Sequence, residues 1–320
     1  MKAAVVSSFD SAPRYGEFAA PTAAGDGEMI VDVIAAGLHP RVRSQAAGSH
    51  YTSTGELPLV PGVDGVGRGP DGLLRYFMLQ DTTRGSMAEQ TVIDARRSVV
   101  LPDDTDAVAV AAAMNPAMSS WVALRQRVSF EAGHKVLVLG ATGNSGQLAV
   151  QVTRLLGAGE IIAAGRDADK LARLPALGAS RTVRLDGDAD AVARRLAEAA
   201  DVDVVIDYLW GEVTAAAMAA IVTARADRAR PLSWIEIGSV AGLTAPIPSA
   251  ALRAARLQIV GSGVGSIGTR EYVAELPALA REITRGALAI DARARPLADV
   301  EQAWADAART PHRIVLLPRP

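Results

Sequence analysis

Apolar positions along this chain change their spacing about a third of the way in. Up to residue 117 they come in short, interrupted runs: "MIVDVIAAG" alternates, "LPLVPGVDGVGRGPDG" is broken by Gly and Pro, and "SMAEQTVIDARRSVVLP" reads as two short strands. This pattern predicts an irregular β domain. From residue 118 onward, runs of branched residues alternate with Ala-rich stretches of helical period. They read as "KVLVLG", a helix ending at 156, "EIIAAG", a helix over 168–177, "SRTVRL", a helix over 189–199, "VDVVIDY", "SWIEIG" and "LQIVGS". Strands alternating with helices of this length predict an α/β fold with a doubly wound parallel sheet. A last helix over 270–285 precedes "HRIVLLP", which brings the chain back to the β domain. The expected domains are therefore 1–117 with 264–320, and 118–263.

At 320 residues the chain is long enough for two cores. Its formal charge is -2, with basic and acidic residues interspersed, so no basic footprint for nucleic acid or anionic membranes is expected. A small-molecule partner is the expectation that remains. There is no cysteine, which excludes disulfides, thiolate catalysis and cysteine-ligated zinc. The start "MKAAVVSSFD" is too briefly apolar for a secretory segment, and no later stretch reads as a membrane span, which points to the cytoplasm.

The stretch "VLVLGATGNSGQLAVQ", residues 136–151, orders a buried strand, a glycine turn and a helix. Gly140, Ala141, Thr142, Gly143, Asn144, Ser145 and Gly146 form the turn, where glycines let backbone approach a pyrophosphate and the helix N-terminus meets its charge. Selectivity for NAD usually rests on an acid at the end of the second strand; here that end is Gly165, followed by Arg166. A guanidinium there forks onto phosphate oxygens, so NADPH is expected, with Arg166 as main reader of the 2′-phosphate and Lys170 as a second cation. Two other readings stay open: Arg166 as a solvated loop residue, and Asp167 as a displaced ribose ligand.

In order and spacing, "VDVIAAGLHP", "LPLVPGVDGVG", "GSMAEQTVIDARRSVVLPDD", "AAAMNPAMSSWVAL", "VLVLGATGNSG", "DVVIDYLWG", "IEIGS" and "RPLADVEQAW" with "HRIVLLP" resemble the zinc-free quinone oxidoreductase branch of the medium-chain dehydrogenase/reductase superfamily. The resemblance covers essentially the whole chain. "GATGNSG" alone also resembles short-chain dehydrogenases, but no Tyr here has a Lys four residues on. The resemblance implies a GroES-like β domain, a Rossmann domain, and a dimer joined through "LQIVGSGVG". It also implies that Ile237, Gly238 and Ser239 lie beside the nicotinamide. Ser119 would stand at the domain junction, or cap a helix. Arg313 would reach cofactor phosphates, or present its side chain to solvent.

Zinc-dependent relatives place a ligand just after the "AAG" segment and a His in the next glycine segment. Here those positions hold Leu38 or His39, and Val63, which leaves too few ligands for a catalytic zinc. The resemblance then implies reduction of a quinone or an α,β-unsaturated carbonyl, with negative charge developing on oxygen and a hydrogen-bond donor needed there. Candidates are Tyr51 and His50, then His39, from "HPRVRSQAAGSHY", read as a loop; His50 and Tyr51 equally suit an exposed loop without a role in the reaction. Tyr208 and Trp210 follow the strand "VDVVID" and suit either a ligand wall or core packing. Two rival functions remain: a reductase of an acyl thioester or another enone, and an NADPH-binding sensor or structural protein without turnover.

Overall fold

The computed structural model describes every residue except Asp81 and Pro320, and the chain divides into one unit of Met1–Asn115 with Val273–Pro320 and another of Pro116–Tyr272. In chain order the strands are β1 (Lys2–Val5), β2 (Arg14–Glu17), β3 (Glu28–Leu38), β4 (Asp64–Arg68), β5 (Leu74–Met78), β6 (Gln90–Asp94) and β7 (Ser98–Val100). Then follow β8 (Lys135–Leu139), β9 (Glu160–Gly165), β10 (Arg181–Arg184), β11 (Val204–Asp207), β12 (Leu232–Glu236) and β13 (Leu257–Gly261). The tail supplies β14 (Ala292–Pro296) and β15 (Arg313–Leu317).

In the first unit β1 and β2 form an antiparallel ribbon, and a larger sheet runs β14-β15-β3-β4-β5-β7, with β6 also paired to β3. The alternation of "MIVDVIAAG" explains the middle of β3: Val31 and Val33 point into a small core with Phe77, Leu79 and Ile93, while Asp32 between them is exposed. Beyond a register shift between Val33 and Ala35 the strand is buried on both faces. A second core joins Val42, Leu59, Met87, Trp304 and Leu316.

The other unit is a six-stranded sheet, β10-β9-β8-β11-β12-β13, parallel throughout. Val136, Leu137, Val138 and Leu139 of β8 are fully buried, which is why their run is continuous rather than alternating. Chain order reverses between β8 and β11, and the carboxyl ends of strands at such a point form the ligand crevice of open α/β sheets.

Several sequence expectations need correction. The helix over 168–177 is two short helices, Ala168–Leu171 and Leu174–Leu177, because Pro175 has no N–H to continue the ladder. The stretch read as a loop before Tyr51 contains the helix Pro40–Ala46, with Pro40 in its first turn and His39 at its N-cap. Other elements are absent from the sequence expectations, among them the helices Ala107–Val122, Gly211–Ala224 and Val300–Asp306, and β14. The first two helices are apolar nearly all round, so they lack the period that reveals an amphipathic helix. Finally, Ala107–Arg127 is long and apolar enough to cross a membrane, contrary to the expectation; 72% of its apolar window is buried within the protein, as in a core helix.

Candidate active site

The glycine turn is built by steric necessity. Gly140 follows β8 with φ 84°, a conformation that costs glycine little, and both its N–H and that of Ala141 donate to the Ala164 carbonyl of β9. Gly146 packs against the same turn so closely that a Cβ there would lie 2.2 Å from the Gly140 carbonyl oxygen. The helix Asn144–Leu155 starts at Gly143 without a side-chain cap. The N–H groups of Asn144, Ser145 and Gly146 consequently have no acceptor among the described residues. Three unanswered donors at the positive end of a three-turn helix are a place for an anion. Ala141 is buried, and the Thr142 carbonyl accepts from the Gln147 side chain at 3.2 Å, which ties the turn to the following helix.

At the end of β9, Gly165 lies against Thr142, where a Cβ would come within 2.5 Å of the Thr142 methyl. The next residue, Arg166, is exposed and makes no ion pair or side-chain hydrogen bond among the described residues. Asp167 is engaged: its Oδ1 accepts the Lys170 N–H at 3.0 Å, capping Ala168–Leu171, and that bond holds its carboxyl below the usual range. The Lys170 ammonium sits 3.4 Å from the same carboxylate, so this lysine is partly neutralised where Arg166 is not.

The ends of β11 and β12 are tied by a residue that sequence reading passed over. Asp207 is fully buried and accepts four hydrogen bonds, from the N–H groups of Leu209 (2.8 Å) and Trp210 (3.1 Å), the Thr214 hydroxyl (2.6 Å) and the Trp234 indole (2.9 Å). An acid closing an otherwise apolar strand was the available signal, since buried carboxylates occur where donors converge. The Ile237 and Gly238 amides both donate to the Asp207 carbonyl, which places "IGS" alongside this turn. Ile237 and Gly238 are half-buried and Ser239 exposed. Burial, and then the Asp207 charge, push the Glu236 carboxyl up.

Ser119 caps nothing: it lies inside Ala107–Val122, donates back to the Pro116 carbonyl at 2.7 Å and meets the Tyr208 hydroxyl at 2.8 Å. Tyr208 is itself buried, with its pKa pushed up to about 12, so it stays a neutral partner of Ser119. Of the two aromatic candidates for a ligand wall, Tyr208 is therefore a packing residue.

In the β unit the donor candidates separate. Tyr51 is 74% exposed, and His50 stacks on its ring at 4.4 Å between centroids. The Nδ1 of His50 accepts from the Thr52 N–H at 3.2 Å, which leaves the proton of the neutral ring on Nε2. His39, by contrast, is 3% exposed, with Nε2 3.0 Å from Asp64 Oδ1, while Asp64 Oδ2 accepts from the Tyr76 hydroxyl at 2.9 Å. Burial lowers the His39 pKa despite the Asp64 charge. Its N–H is spent on Asp64, so His39 is corrected from a donor to part of a buried support. Arg313 is corrected too: it is buried, donates to the Leu38 carbonyl at 3.0 Å, and has its pKa brought down to about 10 by burial, so it is not a surface cation for cofactor phosphates.

A family model described as zinc-binding dehydrogenase matches residues 146–281. A probable NADPH-dependent quinone reductase of Emericella nidulans, tdiC, is 28% identical over 99% of this chain and 100% of its own length. Over its whole length the chain is similar to the quinone oxidoreductase-like branch of the medium-chain dehydrogenase/reductase superfamily. Two solved structures share the fold over 99% of this chain and 100% of their own: a mycobacterial quinone oxidoreductase (TM-score 0.83, 23% identical) and the quinone oxidoreductase of Thermus thermophilus, also solved with NADPH (TM-score 0.81, 24% identical).

The protein is an NAD(P)H-dependent oxidoreductase, and its glycine cradle and uncapped helix fit such a cofactor. The zinc in the family model's description fits less well. Among the described residues no group of three or more His, Cys, Asp or Glu side chains is placed to hold a metal. His39 and Asp64 are already bonded to each other, and Val63 stands beside them without a ligating atom. A catalytic zinc takes three protein ligands, so these residues do not make its site.

Proposed function

We propose that the protein is an NADPH-dependent, zinc-independent reductase of quinones or α,β-unsaturated carbonyl compounds. The observation that carries the cofactor choice is the end of β9, where Gly165 replaces an acid and the exposed Arg166 has no partner among the described residues. A 2′-phosphate would meet a guanidinium instead of a carboxylate, a charge-assisted pair worth about 1.5–3 kcal/mol. Gly140 to Gly146 and the three open N–H groups of the following helix are assigned to the pyrophosphate, Ile237, Gly238 and Ser239 to the nicotinamide end, and Lys170 to a supporting charge. Ser119 is assigned to position Tyr208 beneath that end.

Held by these residues, a reduced nicotinamide would supply the hydride for a quinone or for the β-carbon of a conjugated carbonyl. Such acceptors need no Lewis acid, because conjugation spreads the developing charge onto oxygen. The residues' task is then to donate a hydrogen bond to that oxygen, and we assign it to the Tyr51 hydroxyl and the His50 Nε2–H. The names of full-length relatives as quinone reductases support this substrate class. We also assign a second copy of the chain as partner, through the edge strand β13.

The test is the rate of NADPH oxidation, with NADH in parallel, against quinones and conjugated enones in the presence of a chelator. Saturable, NADPH-selective turnover is expected. Turnover only after zinc is added, or equal use of NADH, would overturn the corresponding half of the reading.

A further inference from the structure

Trp210 is the only non-glycine residue with positive φ among the described residues, at φ 55° and ψ −169°. That is the margin of a region which glycine occupies readily and a residue with a Cβ does not, and such strain persists only where surrounding structure dictates it. Here it is dictated from several sides. The Trp210 N–H donates to Asp207 Oδ1, and the other Asp207 oxygen is fixed by Thr214 and Trp234. The Ala241 N–H donates to the Leu209 carbonyl at 2.7 Å. Gly211 is pressed so near the same segment that a Cβ would lie 2.9 Å from the Ala241 oxygen.

The side chain this strain holds in place is not a core anchor. Trp234 is fully buried, with its indole N–H on Asp207, but Trp210 is only half-buried and its indole N–H has no acceptor among the described residues. Leu209 packs into the apolar cluster of this unit; Trp210 does not belong to that cluster. Its position is informative as well. Trp210 follows β11, the strand beside β8 at the reversal of chain order, and Leu209 before it touches Gly140, where a Cβ would come within 3.1 Å. Strained backbone, an aromatic ring outside the core and the ligand-binding edge of the sheet coincide at one residue.

We propose that Trp210 is a specificity-determining residue whose indole is the face against which the planar conjugated ring of the acceptor stacks. This inference rests on the reductase reading above and sharpens it toward cyclic, quinone-type acceptors over small acyclic enones. Offset aromatic stacking supplies the preference, since an acyclic enone has no ring to pair.

The test uses Trp210→Ala, Trp210→Gly and Trp210→Phe in the full chain, with 1,4-naphthoquinone and an acyclic enone as acceptors. Trp210→Ala and Trp210→Gly should each raise the KM for naphthoquinone about tenfold. Their KM for the acyclic enone and their Kd for NADPH should stay within about twofold, and Trp210→Phe should keep most of the naphthoquinone affinity. Because only glycine relieves the backbone, Trp210→Gly should melt above Trp210→Ala by a few degrees. An unchanged naphthoquinone KM in a folded variant overturns the proposal. So does a raised NADPH Kd with unchanged acceptor KM, which would put the nicotinamide ring on the indole instead. If the unaltered enzyme reduces no acceptor, the reductase reading fails separately, and tryptophan fluorescence decides: saturable quenching by naphthoquinone that is lost, or needs about tenfold more naphthoquinone, in Trp210→Ala supports the ring site, and quenching that is absent from the unaltered enzyme, or keeps its midpoint in that variant, overturns it.

Discussion

Two stretches carry the candidate chemistry, the glycine turn over 140–146 and the segment over 39–51, and they encode it in opposite ways. The turn is specified by exclusion. A Cβ at Gly146 has nowhere to go, Gly140 needs its positive φ, and what remains is bare backbone and open N–H groups. Such a requirement leaves a mark at fixed positions in the sequence. The 39–51 segment is specified by what side chains offer, and several residue types can offer a hydrogen bond. His39, His50 and Tyr51 look interchangeable as letters, yet the first is locked on Asp64 under the surface and the last is exposed. Sites made of backbone can be read from residues; sites made of side chains need their surroundings.

The sharpest way to break this comparison is Gly146→Ala. The added methyl must displace the Gly140 carbonyl, so NADPH binding should weaken by about two orders of magnitude, with stability falling by about 1–3 kcal/mol. Titration of NADPH and denaturant unfolding measure the two effects, and near-normal affinity would show that the cradle tolerates a side chain after all. Next in size is Arg166→Ala. Losing one charge-assisted contact should raise the Kd for NADPH about 10- to 100-fold while leaving NADH nearly unchanged. Equal weakening of both cofactors would remove the 2′-phosphate assignment.

The same contrast explains how much of the molecule was legible. The continuous branched run of β8 and the alternation in β3 announced their elements because burial on two faces or on one leaves a different period. The helix Gly211–Ala224 was not visible, because Ala and Met on all sides leave no polar face to mark. In the proposed site, Gly140, Gly146 and Arg166 are singled out by position alone, and the tight glycine turn that their spacing predicts is present. Asp207 was passed over because its importance lies in four donors that arrive from residues 209, 210, 214 and 234. Arg313 misled for the converse reason: its letter suggests a surface cation, and its carbonyl partner Leu38 is 275 residues away in sequence.

On the side-chain half of the comparison, Tyr51→Phe should lower kcat for enone reduction about tenfold and leave the Kd for NADPH unchanged, the signature of a donor felt mainly in the transition state. A drop of similar size in His50→Gln, with the double variant worse than either, would divide the role between the two rings. If neither variant slows turnover, the final proton comes from solvent and the segment serves only to shape the site.

The smallest effect belongs to the buried partner in that segment. Because burial lowers the His39 pKa from its ordinary 6.5, the folded protein resists protonating this ring while the unfolded chain does not. The folded state therefore has its full advantage above about pH 6.5 and loses it progressively as pH falls toward the lowered folded value. His39→Gln cannot titrate and keeps a polar group for Asp64, so it should be less stable than the parent at pH 7.5 but lose less on acidification to pH 5. Denaturant midpoints at the two pH values measure it. Parallel losses in both proteins would mean that His39 takes its proton in the folded state as readily as in the unfolded one, and that its bond to Asp64 fully offsets the burial around it.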